Sequence, residues 1–215
     1  MSATSMWDPG MTATGDGCPM PFDAAPATLG ERIARLEAIE AIRALKAHYG
    51  ALADAKYTAD YRKIDADALA EVARRQAACF TEDAVWAGGN GFGGDLVGRE
   101  AIARWFLSSP WRYAMHYYVS EALRVDVTAG EAEATWRLMQ VALRDGDDTH
   151  ARAVWLGAVT SERYRRDPVS SRWLISYMKF TDLQMMTLAD TPLPIARNFA
   201  GLDAIRAART QDIPQ

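Results

Sequence analysis

Residues 28–54 read TLGERIARLEAIEAIRALKAHYGALAD. Ile33, Leu36, Ile39, Ile42, Leu45, Tyr49 and Leu52 recur every three or four residues, the spacing of one apolar stripe on a helix. Thr28 and Glu31 fit the S/T-x-x-E capping box, which marks the start. Near the far end the stripe turns polar, with Lys46, His48, Tyr49 and Asp54 close together. Two readings of Tyr49 stay open: an ordinary core tyrosine, or the wall of a reactive pocket. On an ideal helix Tyr49 and Asp54 stand about 140° apart, so both reach one pocket only if the helix ends or bends near Asp54.

Outward from this helix, a second helical stripe runs through Leu69, Val72, Ala73, Gln76 and Phe80, starting around Asp65 and Asp67. Between the two lies Lys56–Ile64, a polar and aromatic piece read as another short helix or as a lid carrying Tyr57 and Tyr61. Thr81–Trp86 reads as a turn into a short strand, and Gly98–Leu107 as a third helix. After Pro110 the period changes from 3.6 to 2. Four strands are expected, at Met115–Ala122, Glu133–Leu143, Arg152–Tyr164 and Trp173–Asp182, with turns at Thr128–Gly130, Asp145–Asp148 and Asp167–Ser171. Strands joined in sequence by short turns pair antiparallel, and helices followed by a meander make an α+β fold. The expected divisions are an arm over residues 1–27, one domain over 28–188 and a tail over 189–215.

Composition narrows the function. The 215 residues are 49% apolar and 24% charged, enough for one core, and the formal net charge is −4. No basic stripe is present, so nucleic acid is not an expected partner. No apolar run suits a membrane span and no signal peptide is expected, which places the chain in the cytoplasm with Cys18 and Cys79 as free thiols. His48, His116 and His150 fall in no metal-binding spacing, so no metal site is expected. There is no G-x-S-x-G and no cysteine in a nucleophile context. GNGFGG at residues 89–94 matches G-x-G-x-x-G, but no βαβ unit surrounds it, and it is read as a loop.

Two strand motifs bear on chemistry. His116, in YAMHYYVSE, is either an acid/base group near neutral pH or a half-buried histidine bonded to backbone. In ATWRLMQVAL one face carries Trp136, Leu138 and Gln140, the other Arg137, Met139 and Val141. The first face is a stacking wall with one hydrogen-bonding group, or plain packing.

In order, IEAIRALKAHYGALAD, CFTEDAVWAGG, LVGREAIARWF, AMHYYVSEALRVD, AEATWRLMQ and RAVWLGA resemble the SnoaL-like branch of the nuclear transport factor 2-like (NTF2-like) superfamily, over roughly residues 30–182. The resemblance implies a cone of long helices against a strongly bent antiparallel sheet, with an apolar pocket inside. Members include scytalone dehydratase, bile acid 7α-dehydratase, polyketide cyclases and lignin diarylpropane lyases, and many members bind ligands without chemistry. Carried over from the bile acid dehydratase type, Tyr49, Asp54 and His116 form the working set. Gln140 stands where that type has a carboxylate.

The function this implies is a cofactor-independent lyase for a hydroxylated aromatic compound of two-ring size. Its sharpest form is formaldehyde release from a lignin-derived diarylpropane diol, giving a stilbene through a quinone methide. The alternatives are a dehydratase of a steroid-like or polyketide-like compound and a non-catalytic binding module. Tyr49 and His116 are expected to move protons and Asp54 to orient them. Lys46, about 60° from Tyr49, is expected to lower a phenol pKa. Trp86, Phe92 and Trp136 are stacking candidates, Arg104 a phenolate holder, and Tyr57 and Gln140 substrate contacts. Assembly through the outer sheet face is implied, a trimer ahead of a dimer.

Overall fold

The computed structural model describes residues 28–88, 93–144 and 150–192. The elements are α1 (Leu29–Asp54), α2 (Ala66–Ala77), β1 (Phe80–Ala87), β2 (Leu96–Val97), α3 (Arg99–Leu107), β3 (Trp111–Asp126), β4 (Glu131–Arg144), β5 (His150–Arg166) and β6 (Trp173–Pro192). The arm expected over residues 1–27, the GNGFGG stretch with Phe92, and most of the tail lie outside the described residues.

Each helix starts where local chemistry dictates. The Thr28 hydroxyl accepts from the Glu31 amide while the Glu31 carboxylate accepts from the Thr28 amide, a complete capping box. Asp65 caps α2 by accepting from the Ala68 amide. Gly98 precedes α3 at φ +88°, a conformation that favours glycine. Leu36 is 66% exposed and Ile33 is exposed as well, so the predicted stripe packs only from Ala38 onward. The Lys56–Ile64 piece is no helix. It closes as a loop, with a Tyr57–Lys63 bridge and an Ile64 amide donating to the Lys56 carbonyl.

The six strands form one sheet in the order β2-β1-β6-β5-β4-β3. β3 to β6 are the antiparallel meander read from the sequence, but every strand is longer than expected, and β6 runs past residue 188 to Pro192. β1 pairs parallel with β6, Phe80 opposite Ile175 and Trp86 opposite Met178. Parallel pairing of strands far apart in sequence leaves no turn signal, so the sequence does not reveal it.

The concave face carries the core. Residues of one parity, including Trp136 and Leu138 on β4 and Leu156 and Ala158 on β5, are buried, whereas Met139 and Val141 are exposed on the opposite face. α1 lies across the concave face, packing Ile42, Leu45, Tyr49 and Leu52 into a cluster with Phe80, Phe106, Ile175 and Met178. The interior is filled at its narrow end and open at the other.

Candidate active site

At the open end lies a cavity of about 360 Å³, within the roughly 300–1,000 Å³ range of small-molecule sites. Its floor is built by strand register. His116 on β3 stands opposite Gln140 on β4, Gln140 opposite Leu156 on β5, and Leu156 opposite Met185 on β6; all four line the cavity. The next inward row of wall residues is Tyr118, Leu138 and Leu183. Tyr49, Ala53 and Lys56 face it from the end of α1, and Trp86, Trp105, Phe106 and Trp111 complete an aromatic wall.

Asp54 does not line this cavity, because α1 ends there and its carboxylate turns sideways to β3. Its Oδ1 accepts from the His116 backbone amide at 2.9 Å and lies 2.8 Å from His116 Nδ1. A carboxylate only accepts, so Nδ1 carries a proton, and in the neutral ring Nε2 is then the nitrogen with the lone pair. The roughly 140° offset between Tyr49 and Asp54 is thus resolved: Tyr49 lines the cavity directly, and Asp54 connects to it through His116.

Tyr49 is 3% exposed, edge-on to Phe80, Phe106 and Tyr118. Burial, then the nearby Tyr118 and Glu162, hold its pKa well above the ordinary phenol value. Burial likewise raises Tyr118. Both phenols therefore stay protonated and can donate. The expectation that Lys46 lowers the pKa of Tyr49 is overturned. Lys46 Nζ is committed to Glu162 Oε1 at 2.5 Å, inside a pair with side chains 1% and 0% exposed.

Glu162 is the centre of a polar network that sequence reasoning missed. Thr160 donates to Oε1 at 2.7 Å, Tyr164 donates to Oε2, and Trp136 Nε1 donates to the Tyr164 hydroxyl at 2.9 Å. Burial lowers the pKa of Lys46, and the Glu162 carboxylate opposes that shift. The ammonium lies 3.7 Å from the Tyr118 ring centroid and 4.7 Å from that of Tyr49. The signal was present: Glu162 shares the parity of Val154, Leu156 and Ala158 on β5, so it had to point inward.

The remaining predicted residues divide clearly. Trp86, Tyr57 and Gln140 line the cavity with Tyr49 and His116. Tyr57 reaches Ser109 Oγ at 3.0 Å, and Tyr61 packs on Tyr113, which ties the loop to β3 and the segment before it. Trp136 belongs to the network behind the cavity, and Arg104 is exposed on α3 away from it. Among the described residues no cluster of three His, Cys, Asp or Glu could hold a metal ion, and no helix is long and apolar enough to cross a membrane.

Residues 34–179 match the model of the SnoaL-like domain. The chain belongs to the SnoaL-like family. This SnoaL-like protein has the α+β, NTF2-like architecture of helices on a mostly antiparallel sheet. Its fold is shared with a scytalone dehydratase-like protein of Novosphingobium aromaticivorans DSM 12444, at 14% identity and a TM-score of 0.53, over 77% of this chain and 94% of that one. It is shared also with the hexachlorocyclohexane dehydrochlorinase LinA-type3 of Novosphingobium barchaimii LL02, at 17% identity and a TM-score of 0.53, over 77% and 97%. No match is found among curated proteins.

Proposed function

We propose that this SnoaL-like protein is a cofactor-independent lyase that eliminates a group from a hydroxylated aromatic substrate by acid/base catalysis. The observation that carries the reading is the Asp54–His116 pair, whose free Nε2 belongs to a residue lining a largely aromatic cavity beside a phenol held protonated. His116 takes a proton from the substrate, and Asp54 stabilises the imidazolium so formed. Tyr49 gives a proton to the departing hydroxyl, which leaves as water. A positioned acid or base of this kind is typically worth about 10²–10⁴-fold each.

The substrate we favour is a two-ring phenolic diol. With the substrate's para-phenol ionised, departure of the benzylic hydroxyl as water on the proton from Tyr49 leaves a neutral quinone methide. His116 then removes the proton of the terminal CH₂OH, the C–C bond breaks, and its electron pair restores the aromatic ring. The products are formaldehyde, water and a stilbene, with no net redox change. Simple dehydration uses the same groups and is the second reading, supported by the dehydratase and dehydrochlorinase names of proteins that share the fold. Formaldehyde and ultraviolet assays on phenolic diarylpropane diols and hydroxysteroids separate the two. Formaldehyde with stilbene absorbance supports the first, conjugated product without formaldehyde the second.

We also propose that copies of the chain assemble, as a trimer, through the convex sheet face. Val119, Met139, Val141 and Met186 are exposed there, an apolar surface of the kind that marks an interface.

A further inference from the structure

The cavity holds a cation that neither the sequence reading nor the elimination chemistry above uses. Lys56 follows Ala55, the C-cap of α1, and is 6% exposed. Its side chain lines the cavity, with Nζ 5.2 Å from the Phe106 ring centroid. Among the described residues Nζ has no hydrogen bond and no ion pair within 4 Å; the Asp54 carboxylate, bonded to His116, acts on it only from beyond that distance. A buried ammonium is normally paired, because the loss of its water shell must be offset by a partner. The spacing that places it is i, i+4, i+7 from Tyr49 through Ala53, and the negative end of the α1 dipole lies against it.

The rest of the lining points the same way. Among the described residues no aspartate or glutamate lines the cavity, whereas Arg144 does. Among the described residues the Nε2 of Gln140, a donor on a side chain 4% exposed, has no hydrogen-bond partner. A largely apolar cavity that holds an ammonium without a hydrogen-bonded partner, a guanidinium and an unused amide donor is complementary to a ring that carries a negative oxygen.

We infer that Lys56 is the anchor for an anionic oxygen, a phenolate or a carboxylate, on a ring-containing ligand of this cavity. This deepens the proposed function and rests on its reading of the cavity as the substrate site, but not on turnover. A phenolate paired with Lys56 also suits the chemistry, since it supplies the electrons that expel the benzylic hydroxyl.

The test is binding to the full chain, near neutral pH, of three one-ring probes of similar shape: 4-nitrophenolate, 4-nitrobenzoate and neutral 4-nitroanisole. The wild type is expected to hold at least one anion about tenfold or more tighter than 4-nitroanisole. Whichever anion shows the preference identifies the oxygen as phenolate or carboxylate. Lys56→Met should erase the preference while keeping the 4-nitroanisole affinity, which also shows that the variant is folded, and Lys56→Arg should retain it. Equal binding of anions and anisole by the wild type, an unchanged preference in Lys56→Met, or no saturable binding of any probe overturns the inference. Failure of the lyase reading is separate: no turnover on any substrate leaves the anion preference intact, and loss of turnover in His116→Gln is independent of Lys56.

Discussion

Asp54 Oδ1 accepts both hydrogen bonds that fix His116, one from its backbone amide at 2.9 Å and one from its ring Nδ1 at 2.8 Å. The single oxygen therefore sets the strand position, the ring orientation and the tautomer together. Asp54→Asn keeps the shape but presents an amide that can donate to Nδ1, which moves the proton to Nε2. The variant is expected to fold and to lose about 10³–10⁴-fold in kcat, with little change in KM. Steady-state kinetics with circular dichroism checks this; wild-type rates would remove Asp54 from the account.

In the proposed mechanism Tyr49 is a neutral donor, because burial holds its phenol protonated. Tyr49→Phe should lower kcat by about 10²-fold or more and leave the melting temperature within a few degrees. The wild-type pH–rate profile should show no basic limb from Tyr49 below its ordinary value of 10.0. A basic limb below that value that disappears in Tyr49→Phe would contradict the assignment.

The Lys46–Glu162 pair is fully buried, so breaking it differs from replacing it. Lys46→Met strands the Glu162 carboxylate and should cost about 3–5 kcal/mol. Adding Glu162→Gln removes the stranded charge and should recover part of the loss. Urea unfolding of the two single variants and the double variant measures the coupling. Additive effects would mean that the two groups do not pair in solution.

Lys56 predicts a gain in stability. Burial lowers its folded pKa from 10.5 to about 8, Asp54 opposing the shift and Lys63 adding to it. Below pH 8 the side chain is charged in both states and the folded state carries the whole desolvation penalty. Between about 8 and 10.5 the unfolded chain binds more protons, so stability rises with pH. Lys56→Met should therefore be more stable than wild type at pH 7 by on the order of 2–3 kcal/mol. The advantage should fade as pH rises toward 10.5. Thermal melts across that window check it, and a variant less stable at pH 7 would refute it.

Assembly through the convex face predicts a light-scattering mass of about three chains. Val141→Lys, in the middle of that face, should shift it toward one chain. A wild-type mass of 23.7 kDa, that of a single chain, would contradict the trimer.

What was legible in the sequence was what obeys a period or a local rule. The capping box, the 3.6-residue stripe of α1 and the alternation of β4 fixed the α+β architecture and put Gln140 on the inner face. His116 and Tyr49 could be singled out because polar groups interrupt apolar patterns there. The parallel β1–β6 pair was not legible, since it joins residues about a hundred positions apart with no turn between them. The position of Lys46 in a buried ion pair and that of Lys56 on the cavity wall were not legible for a similar reason. Helical angle alone placed Lys46 near Tyr49, but only the tertiary fold brings up Glu162 to claim it. Lys56 was read as the first residue of a short helix or lid, yet just past the end of α1 it continues the inward row of Tyr49 and Ala53 onto the cavity wall. Arg104 looked suited to holding a phenolate, but the packing of Ile102 and Phe106 turns it outward.

The central claim is that His116 is the base of an elimination. Purified wild type and His116→Gln are given the panel of phenolic diarylpropane diols and hydroxysteroids, and conjugated product is followed by ultraviolet absorbance alongside formaldehyde. The account predicts turnover by the wild type on a phenolic member and a loss of about 10³-fold or more in His116→Gln with the fold intact. Turnover that survives undiminished in His116→Gln, or a wild type inert to every compound, would contradict it.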